Sequence, residues 1–170
     1  MLSDLAMPNA ELQVSLQDAE LNMAGGDKIS FQFSANKGSK FLPIKQVASG
    51  GELSRLNLCV KSMVADSMEL PTLIFDEIDS GVSGDVALKM GGILKALSKN
   101  HQVITITHSP QVAAHAKKHF YVYKQDIEDK TRTHIKELEY AEKIKVLATM
   151  LSKSPPSTFA LENAKELLEN

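Results

Sequence analysis

Cysteine, excess charge and long apolar runs are what this chain has least of. One cysteine in 170 residues, Cys59, excludes an intramolecular disulfide and a cysteine-based zinc site, and it fits a reducing cytoplasm. No apolar stretch approaches the ~20 residues needed to cross a bilayer, and no basic-then-apolar leader opens the chain. A soluble, cytoplasmic protein with no membrane partner is therefore expected. Nineteen Lys and Arg against 21 Asp and Glu leave a formal charge of -2, which provides no whole-domain grip on nucleic acid. If DNA is a partner, a local patch or another part of a larger protein must hold it. There is no internal repeat and no low-complexity tract. What remains, at 43% hydrophobic and 24% charged residues, has the composition of one ordinary globular domain.

Hydrophobic spacing organises the chain. Leu2 to Met7 reads as the last turn of a helix that Pro8 ends, so the chain is expected to start inside a helix. Leu12, Val14 and Leu16 alternate, as do Ile29, Phe31 and Phe33, which predicts two half-buried strands joined through Gly25-Gly26-Asp27. After a loop containing Gly38 and Pro43, Ser49-Gly50-Gly51-Glu52 opens a helix predicted to reach Met68, with Leu53, Leu56, Val60, Met63 and Val64 at helical spacing. Leu73-Ile74-Phe75 reads as a buried strand stopping at Asp76-Glu77. A helix over residues 83–99 follows, with Ser83 as N-cap, Asp85 in its first turn and Gly91-Gly92 where a neighbour can approach closely. Residues 103–107 form a second buried, β-branched strand ending at His108. A short helix after Pro110 leads to a strand over residues 120–123. Residues 131–138 are its antiparallel partner across a polar turn with Asp126, Glu128 and Asp129. Helices over residues 141–152 and 157–168 close the chain. The strand-helix-strand rhythm from 72 to 123 predicts an α/β fold with a parallel core.

Three short segments carry chemistry. Asp76 and Glu77 end a strand, and the C-terminal edge of a parallel sheet is where α/β proteins bind ligands. The first carboxylate suits a magnesium ion, directly or through water; the second can orient and deprotonate a water. His108 ends the next strand and is expected at the same edge, placed to donate to a phosphoryl oxygen or to hold the water-activating carboxylate. In Ser49-Gly50-Gly51-Glu52 the serine can cap the helix and the glycines let backbone N–H groups approach a phosphate at its positive end. Taken singly, each segment is as well explained by a strand end, a polar strand terminus or a simple turn. His101, His115, His119 and His134 carry no assigned role, Cys59 and the seven methionines read as core filler, and Lys117-Lys118 reads as a solvated face. Arg55 is a weak candidate to face nucleotide or a partner.

Taken in order, the three segments resemble the signature loop, Walker B and switch histidine of ABC-type ATPases. Ala48-Ser49-Gly50-Gly51-Glu52-Leu53-Ser54-Arg55-Leu56, Phe75-Asp76-Glu77-Ile78-Asp79-Ser80-Gly81-Val82-Ser83-Gly84 and Thr107-His108-Ser109-Pro110-Gln111-Val112-Ala113-Ala114-His115 are similar to the RecN branch of the ABC/SMC-like family. The likeness reaches from Met7-Pro8 to Ala164-Lys165-Glu166-Leu167-Leu168. It implies the C-terminal lobe of an ABC/SMC-type P-loop ATPase head, a mostly parallel core flanked by helices with antiparallel strands at its edges. Residues 1–8 would end a coiled-coil arm and residues 9–170 form the lobe. Glu77 and His108 would be catalytic, and Asp76 would hold Mg2+. Ser49, Gly50, Gly51 and Glu52 would contact ATP of the opposing head, and Asp79, Ser80 and Gly81 would form the D-loop.

Two departures stand out. Val82-Ser83 occupies the place where transporters and SMC proteins usually have Leu-Asp, so no D-loop aspartate role passes to Ser83. The phosphate-binding Gly-x-x-x-x-Gly-Lys-Ser/Thr is absent, since Gly38-Ser39-Lys40 lacks the first glycine. ATP and Mg2+ would then need an N-terminal lobe that these 170 residues do not contain. The implied partners are that lobe, a second head in a homodimer, and DNA through the full-length protein, in break repair and recombination on the nucleoid. Another SMC-like machine, or a non-hydrolysing interaction module of the same fold, are the alternatives.

Overall fold

The computed structural model describes residues 1–46, 49–127 and 130–169. Their chain separates into two units, one of Met1–Leu70 with Ile78–Lys89, the other of Pro71–Glu77 with Met90–Asn170. Among the described residues no helix is long and apolar enough to cross a membrane.

In the first unit, β1 (Glu11–Asn22) and β2 (Gly25–Ser34) form an antiparallel hairpin, and β3 (Leu42–Pro43) pairs with Gln32 and Phe33. The register sets Leu12 opposite Phe33, Val14 opposite Phe31 and Leu16 opposite Ile29; Gly25-Gly26-Asp27, expected in the connection, open β2 instead, and the turn falls on Met23 and Ala24. Only Phe33 is buried, against Met7 and Leu56. Leu12, Val14, Leu16, Ile29 and Phe31 are all more than half exposed, so the expected half-buried face is open in this chain. The long helix α1 (Gly50–Met68) ends at Glu69, which takes a left-handed conformation.

The opening residues form one helical turn closed differently from the sequence expectation. Ala6, at φ 59°, reverses the chain, and Pro8 follows the stop rather than making it. Met7 N–H donates to Leu2 O at 3.0 Å and Ala6 N–H to Ser3 O at 3.2 Å. These are the paired bonds of a Schellman motif, and Leu2 packs with Met7 as that motif's apolar contact.

In the second unit, β4 (Thr72–Asp76) and β5 (Gln102–Ile106) pair in parallel, Thr72 with Gln102 through Asp76 with Ile106. Leu73 and Phe75 point inward, while Ile74, Ile104 and Ile106 are exposed. Both strands were expected to be buried; they are half-buried, with one apolar face open. The helix α2 (Gly84–Leu97) begins in the first unit and ends in the second. Then come α3 (Pro110–Ala113), the hairpin β6 (Phe120–Ile127) with β7 (Lys130–Glu137), and helices α4 (Tyr140–Leu151) and α5 (Thr158–Glu169). Glu128 and Asp129 of the expected turn lie outside the described residues. A capping box between Glu139 and Glu142 starts α4. Ile144, Leu147, Ala148, Ala160, Ala164 and Ala114 form the core of α4 and α5.

Ala6 is exposed, so Ala6→Gly removes no packing and relieves a left-handed alanine that costs about 1–2 kcal/mol. Offset by glycine's extra unfolded entropy, a gain of ~0.5–1 kcal/mol is expected. An unchanged or lower urea midpoint would contradict the motif.

Candidate functional site

Two groups of the predicted residues gather, one in each unit. In the second unit the parallel register carries the chain to a common edge. Asp76 is the last residue of β4, opposite Ile106. The pairing runs one residue further, because Glu77 N–H donates to Ile106 O at 2.9 Å. His108 lies two residues beyond Ile106. Asp76, Glu77 and His108 are all exposed there, as the strand pattern predicts.

Glu77 departs from ordinary strand geometry. Its φ is 46°, a left-handed conformation that costs a glutamate about 1 kcal/mol or more. The strain turns the chain sharply after the last ladder bond and presents the carboxylate at the edge. His108 sits in a loop pinned on both sides. Ser109 N–H donates to Thr107 Oγ1 at 2.9 Å, Ser109 Oγ donates to Gln111 Oε1 at 3.0 Å, and Ser109 caps α3 at Val112 N–H. The same segment is docked further along by His115, whose ring occupies the space a Cβ on Gly91 would need and whose Nδ1 contacts Gln111 O at 2.9 Å. Gly91 is thus the close-approach point its sequence suggests, while the structural role of His115 is legible only in three dimensions.

In the first unit, the start of α1 meets the turn that follows β4, Gly50 and Gly51 against Gly81 and Ser54 against Ser80. A Cβ on Gly51 would lie 2.5 Å from Gly81 O, and one on Gly81 3.0 Å from Gly51 N. Gly81 has φ 72°. Ser54 Oγ donates to Ser80 O at 3.1 Å, Val82 N–H closes a turn onto Asp79 O, and Asp79 is buried. The two glycines of the signature-like segment therefore differ. Gly51 is required by backbone packing against Gly81, and Gly50 faces open space, so only Gly50 keeps a free approach for an incoming group. Ser49 stands at the N-cap position without a side-chain capping bond, contrary to the capping expected of it. Ser49 and Gly50 are exposed at the positive end of a 19-residue helix. Glu52 is half-buried in that turn. Ala48 lies outside the described residues.

Arg55 is committed within its own unit. Nε donates to Gly51 O at 3.0 Å and Nη1 to Leu5 O at 2.9 Å, tying the first turn of α1 to the end of the Schellman turn. Lys118 is paired with Glu137 at 2.9 Å, and Lys143 Nζ donates to Lys117 O. Burial, then Lys143, push His119 below the usual histidine range, and burial raises the Cys59 thiol. Among the described residues no group of three or more His, Cys, Asp and Glu gathers to cage a metal. Asp76 offers one exposed carboxylate, which is the donor set magnesium takes when water and phosphate oxygens complete its octahedron.

No protein-family model matches the chain. The DNA repair protein RecN of Haemophilus influenzae is 40% identical over 170 residues, covering 99% of this chain and 30% of that protein. The RecN of Rickettsia conorii is 43% identical over 167 residues, 98% of this chain and 31% of its own length. The chain thus spans about 30% of the length of these relatives. Among solved structures, a chain from work on ATP-driven dimerization and DNA-stimulated activation of SMC ATPases aligns over 90% of this chain and 88% of its own, at TM-score 0.59 and 20% identity. That likeness shows the fold alone: a mixed α/β arrangement of the kind found in that SMC ATPase chain.

Alanine substitutions separate the two glycines. Gly51→Ala forces its Cβ onto a backbone carbonyl and is expected to cost about 1–3 kcal/mol. Gly50→Ala, in open space at the helix start, should be neutral or stabilise by up to ~1 kcal/mol. Equal urea midpoints for the two variants would refute the close Gly51–Gly81 packing.

Proposed function

The chain belongs to the RecN family of DNA repair proteins, and from that premise we propose that it is the C-terminal part of an ATPase acting in double-strand break repair and recombination. Residues 1–8 end a coiled-coil arm and residues 9–170 form the lobe of the head. The observation that carries this reading is the parallel register of β4 and β5, which ends both strands at one edge with Asp76 and the left-handed Glu77 after one strand and His108 after the other. Phosphoryl transfer asks the protein mainly for positioning and charge stabilisation, and a rigid strand edge provides the positioning.

In this reading Asp76 holds Mg2+, directly or through a water, and the ion neutralises charge on the ATP phosphates. Glu77 orients the attacking water and takes its proton. His108 donates to the transferring phosphoryl oxygen or steadies Glu77. Ser49, Gly50, Gly51 and Glu52 contact ATP held by the opposing head of a homodimer, a reading supported by the exposure of Ser49 and Gly50 at the start of α1. Asp79, Ser80 and Gly81 form the D-loop that backs this segment. The phosphate cradle and its lysine come from an N-terminal lobe. The open faces of β1–β2 and of β4–β5 support that partner, since a parallel pair is normally covered on both sides. Each aliphatic or phenyl side chain buried there contributes roughly 1.5–3 kcal/mol. The full-length protein works on DNA in the cytoplasm, at the nucleoid, under DNA-damage (SOS) control, its heads separating after hydrolysis to move the arms.

In full-length protein, Glu77→Gln is expected to retain ATP binding, slow turnover by about 10²–10⁴-fold and accumulate ATP-bound head dimers. Steady-state turnover near wild type would remove Glu77 from the reaction. The 170-residue chain alone is expected to bind ATP weakly and not to hydrolyse it, with binding and turnover restored when the N-terminal lobe is added. Calorimetry and a phosphate-release assay check this; steady hydrolysis by the purified chain would mean that the phosphate site lies elsewhere.

A further inference from the structure

The β6–β7 hairpin has two chemically different faces, because side chains alternate along a strand. Tyr121 is paired with Lys136, Tyr123 with His134, Gln125 with Arg132 and Ile127 with Lys130, which puts three rings and three cations on one side. Both carboxylates of the two strands, Asp126 and Glu137, lie on the other. There Asp126 accepts from Thr131 Oγ1 at 2.6 Å and Glu137 pairs with Lys118. That second side also carries Lys124 and Phe120, Val122 and Ile135, each more than half exposed, so its charge is of both signs. The first side carries cations and no carboxylate from either strand.

The rings on the first side form a row. Tyr121 and Tyr123 stack at 5.9 Å and 16°, and Tyr123 and His134 at 5.3 Å and 21°. The tyrosines are 45% and 38% exposed, so large aromatic surface is presented to solvent beside Lys130 and Arg132, both exposed. Lys136 is shared with Glu142. Neighbouring same-side residues are spaced by about 6.8 Å along a strand, so the cations form a ladder beside the rings. Unpaired bases offer flat faces for stacking, and a phosphodiester backbone supplies a regular row of negative charge; a single strand provides both together. In a duplex the bases are already stacked and the rings gain nothing.

We propose that this face of the hairpin binds single-stranded nucleic acid, with bases on the tyrosine row and phosphates on Lys130, Arg132 and Lys136. With an overall charge of -2, the chain's attraction for a polyanion rests on local patches such as this one. The assignment is independent of the ATPase reading, since it requires neither nucleotide nor a second head.

The test is fluorescence anisotropy of a labelled oligothymidylate with the 170-residue chain, without ATP, across a salt series. Wild type is expected to bind with log K falling against log salt at a slope of about -2, as three phosphate contacts on a single strand give. Tyr123→Ala should weaken binding about tenfold at unchanged slope. Lys130→Glu with Arg132→Glu should weaken it further and flatten the slope by more than 1. Val122→Ser, on the opposite face, should bind as wild type, and circular dichroism should find all variants folded. Absence of binding by wild type, wild-type affinity in the ring and charge variants, equal loss in Val122→Ser, or equally tight binding of a duplex would each overturn the proposal. Loss of ATPase activity in the full-length protein would leave it untouched.

Discussion

The parallel pairing of β4 with β5 is the constraint on which the rest depends. Five residue pairs in register fix where both strands stop, and the stops carry the chemistry. Because Glu77 N–H still donates to Ile106 O, the backbone under the carboxylate is held by the ladder up to the point where it turns. Everything beyond is loop, and those loops are secured by side chains instead: Thr107, Ser109 and Gln111 around His108, and His115 against Gly91. A parallel pair open on one face is an unusual exposure of aliphatic surface, carried here by Ile74, Ile104 and Ile106.

Strain is placed unevenly. Glu69 and Ala6 are left-handed where helical segments end, a geometry helix termini commonly adopt. Glu77 is left-handed at a strand edge, where no helix needs capping. The signature-like segment is built the other way, without strain at Gly50 and by backbone-to-backbone contact at Gly51 and Gly81. Arg55 then ties the start of α1 to Leu5 O, so movement of the opening turn is felt within one side chain of that segment.

The β6–β7 hairpin illustrates how alternation sorts partners. Phe120, Val122 and Ile135 gather on one side with the carboxylates and Lys124, while the tyrosines, Lys130, Arg132 and Lys136 gather on the other. A strand one residue out of register would mix these sets and give two nondescript faces. Segregation of this kind gives one hairpin two chemically distinct surfaces.

By itself, the sequence determined the elements and their chemistry. Alternation at Leu12–Leu16 and Ile29–Phe33 marked the two strands of the hairpin, helical spacing located α1 nearly to the residue, and the three short segments named the candidate site. These are local properties, fixed by backbone period and residue type within a few residues. Tertiary structure decided what depends on neighbours distant in the chain. It separated Gly51, locked against Gly81, from Gly50, which is free, and it assigned Arg55 to two carbonyls. It also turned His115 from a bland residue into a wedge on Gly91. The apolar strands read as buried proved open on one face, because periodicity reports which side is apolar and never whether anything in the chain covers it. The left-handed backbone of Glu77 was equally invisible, since its cause is the end of the β4–β5 ladder and not the identity of the residue.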